Sequence, residues 1–389
     1  MTDINELIIA DIFSKNRFFL SGKKPNDNEL RQNLQLPVLI DGLDSEDAAL
    51  ILSTLPQGAS GIYLSPLDKG LSGAKVYAAH FSRGNNTKSK VYVFKIGRIS
   101  KVEAEVKAIE QFVCPYIKGV DQPIFRKGKE KALVVQEFVG LSGANLTSLR
   151  QYVRDSNKGG EVLRNLLEER FGVWYLENQQ PASTLSLGSL FERYLRKGPS
   201  SFVYPDEWSE LQEWVKDVTG LYLYDIESIV KKIATLSINS VRSIIHGDLH
   251  AQNILVDRMN VGWPIDFAWC RDELSPVIDL VMLECSLKFL AMPWSASLRS
   301  LLQIEANLCQ EPLPNVSIGK IPHSDKIRNI LFALQAVRGF AFNKLHLSFV
   351  DYRRALTIMT YSLSTHNGLN RPYVLGSLQI LTALEENGG

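Results

Sequence analysis

Ile244-Ile245-His246-Gly247-Asp248-Leu249-His250-Ala251-Gln252-Asn253-Ile254-Leu255-Val256-Asp257 is a polar loop caught between two apolar runs. The loop carries Asp248 and, five residues on, Asn253. Thirteen residues further lies Asp266, in Trp263-Pro264-Ile265-Asp266-Phe267. An Asp, an Asn and an Asp on two short β segments suit phosphoryl transfer. One carboxylate orients a hydroxyl nucleophile, and an amide and a second carboxylate hold Mg²⁺ against ATP. The competing reading is a plain polar turn between core strands, and an isolated Asp-x-x-x-x-Asn would not exceed it.

Outward from this loop, the apolar pattern changes character along the chain. Residues 61–67, 75–81 and 91–96 read as strands, with Arg83-Gly84-Asn85-Asn86 as a turn. Residues 100–113 read as a helix with Val102, Val106, Ile109 and Val113 on one face. Residues 125–131 carry a Lys-Gly-Lys turn and lead to a buried strand at 132–138, so the order from residue 61 is strand, strand, strand, helix, strand, strand. Residues 145–240 read mostly as helices, punctuated by Pro181, Pro199 and Pro205. Residues 277–290 are strongly helical, and further helices are expected over 296–308, 324–345, 352–364 and 372–384. Before residue 60 the expectation is a helix at 4–19, a short strand at 37–40 and a helix at 45–55 capped by Ser45.

His-x-Asp-x-x-x-x-Asn followed by Asp-Phe resembles the catalytic and metal-binding loops of the protein-kinase-like fold. The form His-Gly-Asp-Leu-His-x-x-Asn is most similar to the aminoglycoside and choline phosphotransferase branch; protein kinases usually have Arg where Gly247 stands. The resemblance implies an α+β, two-lobed protein-kinase-like fold, a small antiparallel β lobe plus a larger mainly helical one. On that reading 1–60 is an N-terminal extension of unassigned role, open to a protein partner. Residues 61–140 form the small lobe, and 141–389 the large lobe, with a helical insertion at about 145–240 and C-terminal helices.

The resemblance also distributes roles. Gly70, Ser72 and Gly73, in Lys69-Gly70-Leu71-Ser72-Gly73-Ala74-Lys75, would cradle phosphates with backbone N–H groups, although the spacing is Gly-x-x-Gly. Lys95 would hold the α- and β-phosphates, fixed by a carboxylate on the next helix. Among Glu103, Glu105 and Glu110, the helix face favours Glu105. Glu137 and Val139 would offer hinge backbone to adenine. Asp248 would be the catalytic carboxylate, and Asn253 and Asp266 the Mg²⁺ ligands. His246 would brace the loop, and Asp279 would either cap a helix or brace the catalytic loop from below. Ala268 departs from protein kinases, where Gly follows Asp-Phe.

The whole-chain composition narrows the classes. Lys+Arg total 43 and Asp+Glu 42, so no polybasic surface for nucleic acid or membrane is indicated. The four cysteines are scattered, which suggests neither a disulfide framework nor a zinc site and fits a reducing, cytoplasmic compartment. Neither a signal peptide nor an apolar span of membrane length is recognised. The expected activity is ATP- and Mg²⁺-dependent transfer of a phosphoryl group to a hydroxyl of an unidentified small molecule. The alternatives are an ATP-binding pseudokinase serving as a regulatory or scaffold module, and a nucleotidyl transferase on the same fold. Trp174, Tyr175, Trp208 and Trp214 are either core or an acceptor wall.

Overall fold

The computed structural model describes residues 18–21, 24–26, 30, 43–66, 74–83, 91–117, 120–137, 146–196, 208–221, 225–312 and 324–387. The chain divides into two compact units. The first is Met1–Leu146 with Asp257–Met259 and Asp266–Cys270, and the second holds the remainder.

The first unit is built on a six-stranded antiparallel sheet. Its strands are β1 (Phe18–Leu20), β2 (Ala59–Pro66), β3 (Lys75–Arg83), β4 (Tyr92–Arg98), β5 (Ile124–Lys127) and β6 (Lys131–Glu137), in the order β1-β2-β3-β4-β6-β5. Helix α1 (Ser45–Leu52) precedes β2, and α2 (Ile99–Ala108) follows β4 and runs on through a π turn to Val113. From β2 onward the succession is strand, strand, strand, helix, strand, strand, as the apolar pattern predicts.

Successive side chains of a strand face opposite ways. Phe94 and Ile96 of β4, with Ile62, Leu64, Tyr77, Leu133 and Val135, join Leu50, Ile51 and Leu52 of α1 in one core. Lys95, between Phe94 and Ile96, therefore points to the opposite face, the one that α2 covers.

Residues 18–20 are a strand and not part of a helix, because Phe18–Leu20 pairs with Ile62–Leu64 along the sheet edge. The expected strand at 37–40 lies outside the described residues. The cap of α1 is Asp44, not Ser45. Asp47 N–H donates to Asp44 Oδ1 at 3.0 Å and Asp44 N–H to Asp47 Oδ2 at 3.2 Å, closing a capping box. Lys131 also binds Asp47 at 2.9 Å, and Lys75 pairs with the same carboxylate, so α1 is fastened to both β3 and β6. Glu46 Oε1 accepts from the N–H groups of Glu130 and Lys131 at 2.8 and 3.1 Å. A Cβ at Gly128 would lie 2.5 Å from that oxygen, so the turn must be glycine for Glu46 to reach it.

The second unit is mainly helical. It opens with strand β7 (Thr147–Ser148), α3 (Leu149–Asp155) and α4 (Gly159–Asn165). Strand β8 (Gln180–Ser186), α5 (Leu187–Leu190), α6 (Glu192–Leu195), α7 (Trp208–Thr219) and α8 (Ile226–Thr235) follow. Then come β9 (Ser237–Ile245), β10 (Ile254–Val256), β11 (Gly262–Pro264) and β12 (Arg271–Leu274). Five helices close the chain: α9 (Val277–Ser286), α10 (Leu298–Gln310), α11 (Asp325–Asn343), α12 (Phe349–Leu363) and α13 (Arg371–Asn387). Two three-stranded sheets, β11-β10-β7 and β12-β9-β8, carry the loops of interest.

All ten residues of α9 are buried, which its unbroken apolar run already implies. The charged residues inside this core are paired. Arg338 grips Glu284 with two bonds of 2.7 and 2.9 Å, and Lys288 Nζ donates to Glu305 at 2.7 Å. Burial would raise the Glu284 carboxyl, yet Arg338 and Lys288 hold it at about 2. No helix among the described residues is long and apolar enough to cross a membrane.

Candidate active site

In the first unit Lys95 is the centre. Its Nζ lies 2.8 Å from Glu105 Oε2 and 2.7 Å from Asp266 Oδ1. Glu105 is 3% exposed and sits on the inward face of α2 beside Val102 and Val106. Glu103 is instead on the outer face, 2.8 Å from Lys127, and Glu110 is exposed. One ammonium between two carboxylates leaves the trio one negative charge in excess. Burial drives the Glu105 carboxyl up to about 7; Lys95 opposes the rise and Asp266 adds to it. Lys95 is also raised: burial works against its charge, but the two carboxylates outweigh burial.

Asp266 has φ +64°, the left-handed region that a non-glycine residue enters at a cost. That turn brings its carboxylate to Lys95. Glu137 ends β6, paired with Tyr92. Gly70, Ser72, Gly73 and Val139 lie outside the described residues.

In the second unit the loop between β9 and β10 is held from beneath. Asp279, wholly buried on α9, accepts the N–H of His246 at 2.6 Å and that of Gly247 at 2.8 Å, and the hydroxyl of Tyr175 at 2.7 Å. Burial pushes its carboxyl up, against the pull of His246, Tyr175 and the two N–H groups. Of the two roles open to Asp279 in the sequence, the bracing one is realised, since Pro276 occupies the cap of α9.

His246 is buried and bonds through Nε2 to the carbonyl of Ile265 at 3.0 Å. A carbonyl only accepts, so Nε2 carries the proton and Nδ1 takes the N–H of Asp248 at 3.3 Å. Gly247 sits at φ +77°, which a side chain would strain. Tyr194, from α6, donates its hydroxyl to the carbonyl of Gly247 at 2.5 Å.

With the loop backbone satisfied, the Asp248 side chain is left one-third exposed (33%), 3.9 Å from His250 Nε2. Asn253 Nδ2 donates to the Asp248 carbonyl at 2.9 Å, which turns the amide so that Oδ1 is the end directed away from that carbonyl. Asn253 also accepts the N–H of Ile265 through its carbonyl at 2.9 Å, extending the β10–β11 pairing to the residue before Asp266.

Among the described residues no group of three or more His, Cys, Asp or Glu side chains is gathered around a metal-sized space. The amide oxygen of Asn253 and the carboxylate of Asp266 are hard donors of the kind Mg²⁺ takes beside phosphate and water. Trp174 and Tyr175 are fully buried and therefore core. The sequence reading passed over Tyr175 and Tyr194 as loop anchors; nothing in their local spacing marks them.

A family model described as Ternary complex associated domain 9 matches residues 222–347, less than half of the chain but inclusive of the 246–253 loop and Asp266. No curated protein matches. Among solved structures the chain is similar to a thermostable mutant of aminoglycoside phosphotransferase APH(4)-Ia in its apo form. The identity is 10% over 84% of this chain and 95% of that one, with a TM-score of 0.42. It is similar to choline kinase LicA from Streptococcus pneumoniae at 12% identity, 83% and 94% coverage and a TM-score of 0.34. It is also similar to aminoglycoside phosphotransferase APH(3'')-Id from Streptomyces rimosus, at 15% identity, 71% and 92% coverage and a TM-score of 0.33.

Proposed function

We propose that this chain is a kinase-like phosphotransferase that moves the γ-phosphoryl group of ATP to a hydroxyl of a small molecule. The observation that carries the reading is Lys95 bound at once by Glu105 and Asp266, three residues far apart in the chain. A buried lysine clamped in this way is held extended, with its ammonium presented where a phosphate oxygen can replace a carboxylate oxygen.

Asp248 orients the acceptor hydroxyl and receives its proton. Its loop is fixed by Asp279 and Tyr194, so little reorganisation accompanies the reaction. Asn253 and Asp266 would hold Mg²⁺, which when bound neutralises charge on the transferring phosphates. Glu137 and Val139 would offer backbone to adenine, and Gly70, Ser72 and Gly73 would offer N–H groups to the phosphates. No disulfide joins the four cysteines, which suits a reducing cytoplasmic compartment.

The test is incubation of the full chain with γ-labelled ATP and a metabolite extract, followed by mass spectrometry, alongside Asp248→Asn. Label on a small molecule, lost by about 10²-fold or more in the variant, is the expected result. ATP-dependent thermal stabilisation with no transfer under any condition would overturn the reading in favour of a nucleotide-binding scaffold.

A further inference from the structure

Helix α9 touches the catalytic loop twice. Asp279 holds the entry of the loop, at His246 and Gly247. Further along the helix, Ser286 Oγ accepts the N–H of Ala251 at 2.9 Å. From Asp279 to Ser286 is about two helical turns, so the two side chains leave one face of α9 roughly 10 Å apart. In the sequence Asp248 stands between the two anchored stretches, and Asn253 follows the second.

The hydroxyl of Ser286 is committed in both directions. It donates to the carbonyl of Leu283 at 2.8 Å, so a lone pair and not the proton faces Ala251. Ser286 is 4% exposed and Ala251 0%, and a bare N–H at such a depth is expensive. The carbonyl of Ala251 is held as well. Arg150 N–H, in the first turn of α3, donates to it at 3.1 Å, and Arg150 Nε donates to the carbonyl of Leu290 at 3.0 Å. Leu290 lies in the π turn Leu287–Ala291 that prolongs α9. One helix thus reaches both polar groups of Ala251, directly through Ser286 and by way of Arg150.

Between Asp248 and Asn253 the loop is closed on itself. His250 N–H and Asn253 Nδ2 each donate to the Asp248 carbonyl at 2.9 Å, and Asn253 N–H donates to the His250 carbonyl at 2.8 Å. A turn tied in this way moves as one body, and Ala251 fastens it to the core.

Resting on the phosphotransferase reading, we propose that Ser286 is a positioning residue. By holding Ala251 its hydroxyl sets where the Asp248–Asn253 turn stands, and with it the aim of the Asp248 carboxylate at the acceptor hydroxyl. Misplacing a reacting group by about 1 Å can cost about 10²-fold in rate. Asp279 alone leaves the far side of the turn free to shift.

The experiment compares Ser286→Ala, Ser286→Thr, Arg150→Met and Gly160→Ala with wild type, all in the full chain. The activity read is release of phosphate from γ-labelled ATP, with water as the acceptor of the phosphoryl group. Ser286→Ala should lower kcat by about tenfold and leave KM for ATP within about twofold, because Lys95, Glu105 and Asp266 keep their bonds to one another. Ser286→Thr keeps the hydroxyl and should recover most of the rate. Arg150→Met cuts only the side-chain tie to Leu290, so it should lower kcat in the same direction and by less; it keeps the test decisive if a Ser286 variant fails to fold. Gly160→Ala, which disturbs the packing of α4 on α11, should keep the wild-type kcat and so separates aim from stability at large. Amide exchange over residues 249–253 should quicken by about tenfold or more in Ser286→Ala.

The proposal is overturned if Ser286→Ala keeps wild-type exchange over 249–253, or if exchange quickens while kcat does not change. It is also overturned if Gly160→Ala loses kcat in the same proportion, which would make the effect one of general stability. Exchange that quickens in Ser286→Ala and recovers in Ser286→Thr, with no phosphate released by wild type and no label moved to any acceptor, would leave Ser286 standing as the loop anchor and remove the phosphotransferase reading.

Discussion

Replacing Glu105 by Gln tests the Lys95 trio through its dependence on pH. Glu105 titrates at about 7 in the folded chain against 4.5 ordinarily, a displacement worth roughly 3 kcal/mol. Below about pH 4.5 the residue is protonated in both states and its contribution is fully present. Between there and about pH 7 the unfolded chain has released the proton while the folded one keeps it. Stability of this unit therefore falls as pH rises through that window.

Glutamine cannot titrate, so Glu105→Gln should gain on wild type by roughly 3 kcal/mol between pH 4.5 and 7.5, whatever constant offset the lost charge imposes. Native-state hydrogen exchange over peptides 92–113 isolates this unit, and the intrinsic pH dependence of exchange cancels between the two proteins. The ratio of protection factors, variant over wild type, should rise by roughly a hundredfold across the window. A ratio that stays constant would refute the account of Glu105 as a buried carboxyl lifted by burial and by the second carboxylate.

Asp279→Asn offers one acceptor oxygen where two N–H groups and a hydroxyl now converge, so exchange protection of residues 246–253 should drop by about 1–3 kcal/mol in local stability; unchanged protection would deny the bracing role. Arg338→Met takes the two guanidinium bonds from buried Glu284, leaving it Lys288 and Tyr352, and should cost about 3–5 kcal/mol in denaturant unfolding, with Arg338→Met/Glu284→Gln recovering a measurable part. Gly160→Ala places a Cβ 2.8 Å from the Phe332 carbonyl where α4 meets α11, and should lower stability by about 1–3 kcal/mol in the same assay.

Much of the architecture was legible in local pattern. The strands β2, β3, β4 and β6 and the helices α9 to α13 declare themselves by apolar repeats of period two or 3.6, which a short window captures. The inward face of α2 pointed to Glu105 over Glu103 and Glu110 for the same reason. Strand β8 escaped, because its residues are largely exposed and begin with Gln180-Pro181, so no alternation marks it; pairing with β9 makes it a strand.

The His246–Asn253 loop and Asp266 could be named from spacing, but the partners of these residues could not. Asp279 reaches the N–H of His246 from 33 residues away, and Tyr175, 104 residues before Asp279, holds that carboxylate in turn. Sequence records which groups are available and what the backbone near them prefers. Which buried carboxylate meets which N–H is set by how distant elements close around a common core. In that low-dielectric interior an unpaired polar group costs more than the backbone strain of aiming it.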